Sequence, residues 1–200
     1  MPTQDKPTQL EEVKNAVVNL EASALVDYRK EYSYLPVLGE GNHDANILFI
    51  GEAPGESEAK SGRPFCGRSG KMLDELLEHI ALDRADVYIT NILKDRPPEN
   101  RDPTTDEIEL YTPFLEAQIE IIQPKVIATL GRFAMEFIAQ EYGVELNGTI
   151  TQVCGRTYEI EAGVGNLTFV PLLHPAVALY DGSKRDVLKK DFEVLKKYTK

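Results

Sequence analysis

Residues 46–53 read NILFIGEA, a short uninterrupted apolar run closed by Gly51 and, just beyond it, Pro54. Such a run is a strand buried on both faces, the kind found inside a parallel sheet. Working outward, the same signature returns in VYITNIL from Val87, KVIATLG from Lys125 and TFVPLLH from Thr168. Between these runs the apolar period changes. Met72, Leu73, Leu76, Leu77 and Ile80 share one helical face within Ser69–Ile80, and a second helix is expected from Thr104 to Ile122, with Thr105 and Asp106 as candidate caps. Leu10, Val13, Val17, Leu20 and Ala24 predict one further amphipathic helix, Thr8 to Tyr28, packed across the sheet. Strand alternating with helix requires crossovers. The expected fold is therefore α/β, a three-layer α/β/α sandwich around a mainly parallel four-stranded sheet.

Such sheets bind ligands at the carboxyl ends of their strands. Those ends carry Glu52, Ala53 and Glu58 after the first run, Asn91 after the second, Gly131 after the third and His174 after the fourth. A lone His is usually structural, but an apolar strand delivers His174 to the edge where Glu52 and Asn91 stand. His43 and His79 have no such context. The segment GRSGKM imitates a phosphate loop, yet the pattern needs Gly five positions before Gly70 and Phe65 stands there, so nucleotide hydrolysis is rejected.

Composition narrows the classes. The chain of 200 residues, 42% hydrophobic, suffices for one buried core, read as a single domain over 1–200 with an N-terminal helical segment, 1–38, before a catalytic core, 39–200. Its amino terminus has no apolar signal segment and no run is long enough to span a bilayer, which predicts a cytoplasmic protein. With only Cys66 and Cys154, neither a disulfide framework nor a cluster held by four thiolates of one chain is available. The net charge of −11 argues against a protein that coats nucleic acid. Local charge differs from the average: KSGRPFCGRSGK, residues 60–71, holds four basic residues and no acidic one, and 182–200 holds seven basic against three acidic.

Four stretches in order, GEAPGESEAKSGRPFCGRSG from Gly51, TNILKDRPPENRDPTTDEI from Thr90, PKVIATLGRFA from Pro124 and LLHPA from Leu172, resemble the successive motifs of family 4 uracil-DNA glycosylases. The similarity runs from about Gly39 to Leu195. It implies hydrolysis of the N-glycosidic bond of deoxyuridine in DNA, the first step of base excision repair, by a monomer with no membrane partner. Excision requires the base to leave the stack and enter a pocket. By the resemblance, Phe65 stacks on the flipped base, recovering about 1–3 kcal/mol; read by itself Phe65 is a core residue or a loop residue, and the Gly and Arg around it favour the loop. Asn91 can accept the N3 proton and donate to O4, a pattern cytosine reverses. Glu52 is expected to stabilise the oxocarbenium-like sugar and position water, and His174 to donate to O2. Glu58 matches the family's second acidic position, lining the C5 edge against the thymine methyl, with Ala53 beside the base. Ala59 departs from the family, which has an acidic residue there.

The resemblance also assigns a DNA surface. Arg63 and Arg68 lie in the stacking loop, and in AVALYDGSKRDV Leu179 is the candidate wedge, Tyr180 the second, with Lys184 and Arg185 for flanking phosphates. Leu179 as a core residue is the alternative. Members of the family usually hold a [4Fe–4S] cluster with four Cys, two before the first strand, one after the TN strand and one in the next helix. The corresponding places fall near Ala24 and Asp27, and at Asp95 and Tyr111. No cofactor is therefore expected, and Tyr111 is expected to fill the vacated space while Asp27 or Asp95 finds a basic or hydroxyl partner, since an unpaired buried carboxylate is costly. Two other functions stay open at this level: a non-catalytic DNA-binding or interaction relative, and a glycosylase for another damaged base.

Overall fold

The computed structural model describes residues 4–21 and 23–199. In chain order the elements are α1 (Lys6–Val18), α2 (Ala24–Glu31), β1 (Glu40–Gly41), β2 (Ile47–Gly51), α3 (Glu56–Ser61), α4 (Arg68–His79), β3 (Tyr88–Asn91), α5 (Thr105–Ile122), β4 (Val126–Leu130), α6 (Arg132–Glu141), α7 (Ile150–Val153), β5 (Tyr158–Ala162), β6 (Gly165–Leu172), α8 (Val177–Tyr180) and α9 (Lys184–Phe192). Lys200, counted in the basic tail, lies outside the described residues. Among them, no helix is long and apolar enough to cross a membrane.

The sheet has six strands in the order β1-β3-β2-β4-β6-β5. β3, β2, β4 and β6 run parallel, as the four apolar runs require, with Phe49 opposite both Ile89 and Ala128. The expectation of four strands is corrected by two antiparallel edges. β1 pairs Glu40 with Ile89 over only two residues, and in β5 only Ile160 is buried, so neither carries an apolar run. Alternate side chains of β2 feed the two faces of the sheet. Leu48 and Ile50 join Tyr111, Leu115 and Ile119 of α5. Ile47 and Phe49 meet Leu73 and Leu76 of α4 and Phe192 of α9, whose ring lies 5.9 Å from that of Phe49. Burying each such side chain contributes about 1.5–3 kcal/mol.

Two helix expectations change. The single helix over Thr8–Tyr28 is two, because Asn19 closes α1 and the Ser23 hydroxyl accepts from the Leu25 N–H to open α2. α1 also packs on α5 rather than across the sheet, with Leu10 and Val17 in the cluster of Ile119 and Ile122. The α5 cap is Thr104, one residue before the candidates: its hydroxyl accepts from the Glu107 N–H while the Glu107 carboxylate accepts from the Thr104 N–H.

Candidate active site

At the carboxyl ends of β2, β3 and β6 a cleft of about 310 Å³ is lined by Ala53, Glu58, Phe65, Asn91 and His174. Parallel register brings them together, since Gly51 and Asn91 are direct partners. The close approach depends on glycine. A Cβ on Gly51 would fall 2.3 Å from Asn91 Oδ1 and 2.8 Å from Phe65 Cζ, and one on Gly70 only 1.7 Å from the Phe65 carbonyl oxygen. Gly70 thus lets the start of α4 press on Phe65, which is held at a left-handed φ of 46°. The Phe65 ring is 7% exposed and sits 5.7 Å from that of His174. The solvent-facing loop position favoured for Phe65 is thereby corrected: the side chain is buried in the core, and from there it lines the cleft.

His174 accepts at Nδ1 from the Ala176 N–H at 3.1 Å, which leaves the proton of the neutral ring on Nε2. Burial pushes its pKa down to about 4, against the opposing pull of Glu58. The ring is thus a neutral donor at pH 7. Glu52 behaves oppositely. Burial and the charge of Asp102 raise its carboxyl to about 7, with Arg132 partly offsetting them. Glu52 does not itself line the cleft but directly precedes Ala53, which does. A carboxyl and an imidazole whose pKa values are displaced in opposite directions, next to and within one cleft, mark a candidate chemical site.

Glu58 has a second task. Its Oε1 accepts from the Cys66 and Gly67 N–H groups at 3.0 and 2.9 Å, capping α4 and fixing the loop that carries Phe65. Cys66 itself, like Cys154, is a half-buried free thiol. Asn91 is also held from below by a residue the sequence did not single out. Lys94 is fully buried, and its Nζ donates to the Asn91 carbonyl at 2.7 Å, to Thr90 Oγ1 at 2.8 Å and to Gln118 Oε1 at 2.5 Å. Its three N–H groups match three neutral acceptors, while burial pulls its pKa well below the ordinary value. Ser69 and Asn100 also line the cleft and were missed; Asn100, at a φ of 55° after Pro97-Pro98, had only a turn signal.

On the surrounding surface, Leu179 is 39% and Tyr180 87% exposed, so Leu179 is not a core residue. Arg68 and Lys184 are exposed. Arg63 is paired with Glu40 at 2.8 Å and Arg185 with Glu75 at 3.5 Å.

The places of the four cluster ligands are filled otherwise. Ala24 and Asp27 are exposed on α2, whereas Asp95 and Tyr111 are buried. Tyr111 packs in the core and its hydroxyl donates to Asp95 Oδ2 at 2.6 Å. Arg29 Nη1 reaches both Asp95 oxygens at 3.0 Å, and its two nitrogens also donate to the Val17 and Val18 carbonyls that end α1. Burial raises the Asp95 pKa, opposed by Tyr111 and Arg29. Asp95 thus has both a basic and a hydroxyl partner. Among the described residues no group of three or more His, Cys, Asp or Glu is placed to hold a metal ion. An arginine–carboxylate–phenol cluster offers iron no thiolate, so these residues do not fit a [4Fe–4S] group.

A doubly wound sheet with a small cleft at its switch edge, an aromatic face, a carboxamide, a neutral imidazole donor and a raised carboxyl defines a site for a planar heterocycle with hydrogen-bonding edges. Residues 38–198 match the uracil DNA glycosylase superfamily, and the chain belongs to it. It is 42% identical to a type-4 uracil-DNA glycosylase of Sulfurisphaera tokodaii over 94% of this chain and 83% of that protein. It is 45% identical to one of Archaeoglobus fulgidus over 83% of this chain and 82% of the relative. A third, of Saccharolobus solfataricus, is 45% identical over 80% and 74%.

Proposed function

We propose that this chain is a uracil-DNA glycosylase that hydrolyses the N-glycosidic bond of deoxyuridine in DNA, and that it does so without an iron–sulfur cluster. The observation that carries the reading is the convergence of Asn91, Phe65 and a neutral His174 on one cleft beside Glu52. The flipped base stacks on Phe65, and the Asn91 carboxamide pairs with its N3–H and O4. As the bond breaks, negative charge gathers on the base and positive charge on the sugar. Nε2–H of His174 donates to O2 of the departing anion, and being neutral it stabilises that charge without transferring its own proton. The Glu52 carboxylate faces the sugar and orients the attacking water. Glu58 holds the loop and, with Ala53, closes the cleft beside the base. Leu179 enters the stack in place of the extruded nucleotide, with Tyr180 beside it. Arg68 and Lys184 hold flanking phosphates, joined by Arg63 and Arg185 when these leave their carboxylate partners.

The cluster-free reading is supported by the two cysteines, both remote from the four ligand places in sequence, and by the Arg29–Asp95–Tyr111 contacts, which take up two of those places, Asp95 and Tyr111. Uracil release from a labelled oligonucleotide tests the activity, with Asn91→Ala and His174→Ala as controls; no release by the wild type where DNA is bound would leave only a binding protein. Iron analysis of the purified protein tests the second half, and stoichiometric iron with the brown absorbance of a cluster would refute it.

A further inference from the structure

On α2 and the turn after it, Tyr28, Tyr32 and Tyr34 form a cluster that neither the core nor the cleft uses. The Tyr28 and Tyr32 ring centroids are 4.5 Å apart, and Tyr32 and Tyr34 stack at 5.7 Å with 19° between their planes. Tyr32 is 52% exposed and the other two are partly exposed. Arg96 ties the cluster to the site. Its Nη1 donates to the Tyr34 hydroxyl at 3.0 Å and to that of Tyr28 at 3.3 Å, while its Nε donates to Asn100 Oδ1 at 2.9 Å. Asn100 lines the cleft.

We propose that Tyr28, Tyr32 and Tyr34 with Arg96 form a stacking platform for the bases of single-stranded DNA next to the flipped nucleotide; this rests on the glycosylase reading. Three observations favour that occupant. Grouped aromatic faces beside a guanidinium take bases of any sequence, because every base has a π face. The hydrogen bonds of Arg96 go to two hydroxyls and a carboxamide, and the nearby Glu56, which feels its charge, is ion-paired with Lys60 at 2.5 Å, so among the described residues the guanidinium forms no ion pair of its own and can take a phosphate. Finally, Arg96 follows β3 and the Leu179 segment follows β6, and these strands flank β2 and β4 on opposite sides. A strand crossing the cleft passes from one to the other.

The test compares kcat/KM for uracil release from single-stranded oligonucleotides with long and with minimal flanks around one deoxyuridine. In Tyr32→Ala the ratio of long-flank to short-flank kcat/KM should fall about ten-fold, through KM, as expected for one lost stacking partner. Tyr32→Phe should restore the wild-type ratio, whereas Tyr32→Leu, apolar without a π face, should not. An unchanged ratio in Tyr32→Ala, or rescue by Leu as good as by Phe, would overturn the platform and leave the tyrosines as a brace for α2. Fluorescence anisotropy with a uracil-free single strand separates the two readings: if the wild type releases no uracil, a weakening in Tyr32→Ala that Phe restores still supports the platform, and equal binding by all three still removes it.

Discussion

The cleft and the Arg29–Asp95–Tyr111 cluster both grow from the end of β3, separated by only the segment from Asn91 to Asp95, yet they treat buried charge in opposite ways. At and beside the cleft, burial with the charge of Asp102 displaces Glu52 up to about 7 and burial displaces His174 down to about 4, and the opposing charges of Arg132 and Glu58 offset these shifts only in part. At the cluster, burial acts on Asp95 too, but a guanidinium and a phenol answer it. Groups whose burial is offset only in part can give or take charge as a substrate passes through its transition state, whereas hydrogen-bonded ion pairs hold segments together. The cluster joins the end of α1, α2, the loop after β3 and α5. On the proposed cluster-free reading, α2, the loop after β3 and α5, where the resemblance puts the four thiolates, are braced by Arg29, Asp95 and Tyr111 instead.

This contrast breaks most visibly at Arg29. Arg29→Ala leaves the Asp95 carboxylate buried with only the phenol, and a cost of about 3–5 kcal/mol in unfolding free energy is expected by denaturant titration. Replacing the whole cluster by apolar residues, Arg29→Met with Asp95→Leu and Tyr111→Phe, should recover most of that loss, because a buried ion pair is replaceable by well-packed apolar groups. If the triple variant were as unstable as Arg29→Ala, the cluster would be more than a brace. At the cleft the expected loss is in rate: His174→Ala should lower single-turnover uracil release by roughly a hundred-fold or more, the worth of one oriented donor to a developing anion, with little change in the melting temperature.

A pH series sharpens the comparison. In the proposed mechanism Glu52 acts as the carboxylate, and its raised pKa means that this form is lost as pH falls through about 7. kcat/KM should therefore decline about ten-fold per unit below pH 7. His174, neutral above about 4, should add no second limb between pH 5 and 8. Glu52→Gln should abolish the limb along with most of the activity, and a limb that survived in that variant would assign it to another group. The smallest effect is expected at Tyr111→Phe, where one hydrogen bond to a charged acceptor is lost while the ring still fills the core. A decrease of about 1.5–3 kcal/mol in stability with unchanged uracil release is the anticipated outcome.

Much of this architecture was legible because buried parallel strands leave uninterrupted apolar runs, and those runs end at the cleft. Glu52, Asn91 and His174 could be singled out for that reason. The edge strands were not legible: β1 is two residues long and β5 exposes most of its side chains, so neither leaves a pattern above its surroundings. The break between α1 and α2 was hidden because apolar spacing continued through it, and only the Ser23 cap betrays it. Lys94 was not singled out, because nothing in its sequence neighbourhood marks a lysine after a strand as buried. Its burial depends on Gln118, distant in the chain, supplying an acceptor.

The sequence by itself determined the order of the strands in the chain, the chemical types at their ends and the lack of four thiolates, since composition and local periodicity are properties of neighbours along the chain. Only the tertiary structure decided which residues answer the charge of Asp95, which glycine lets Phe65 and Asn91 meet, and that Arg96 links three tyrosines to the cleft. The physical reason is range. Arg29 and Asp95 stand 66 positions apart, and an attraction between buried charges exists only after folding has removed the water that would have screened it.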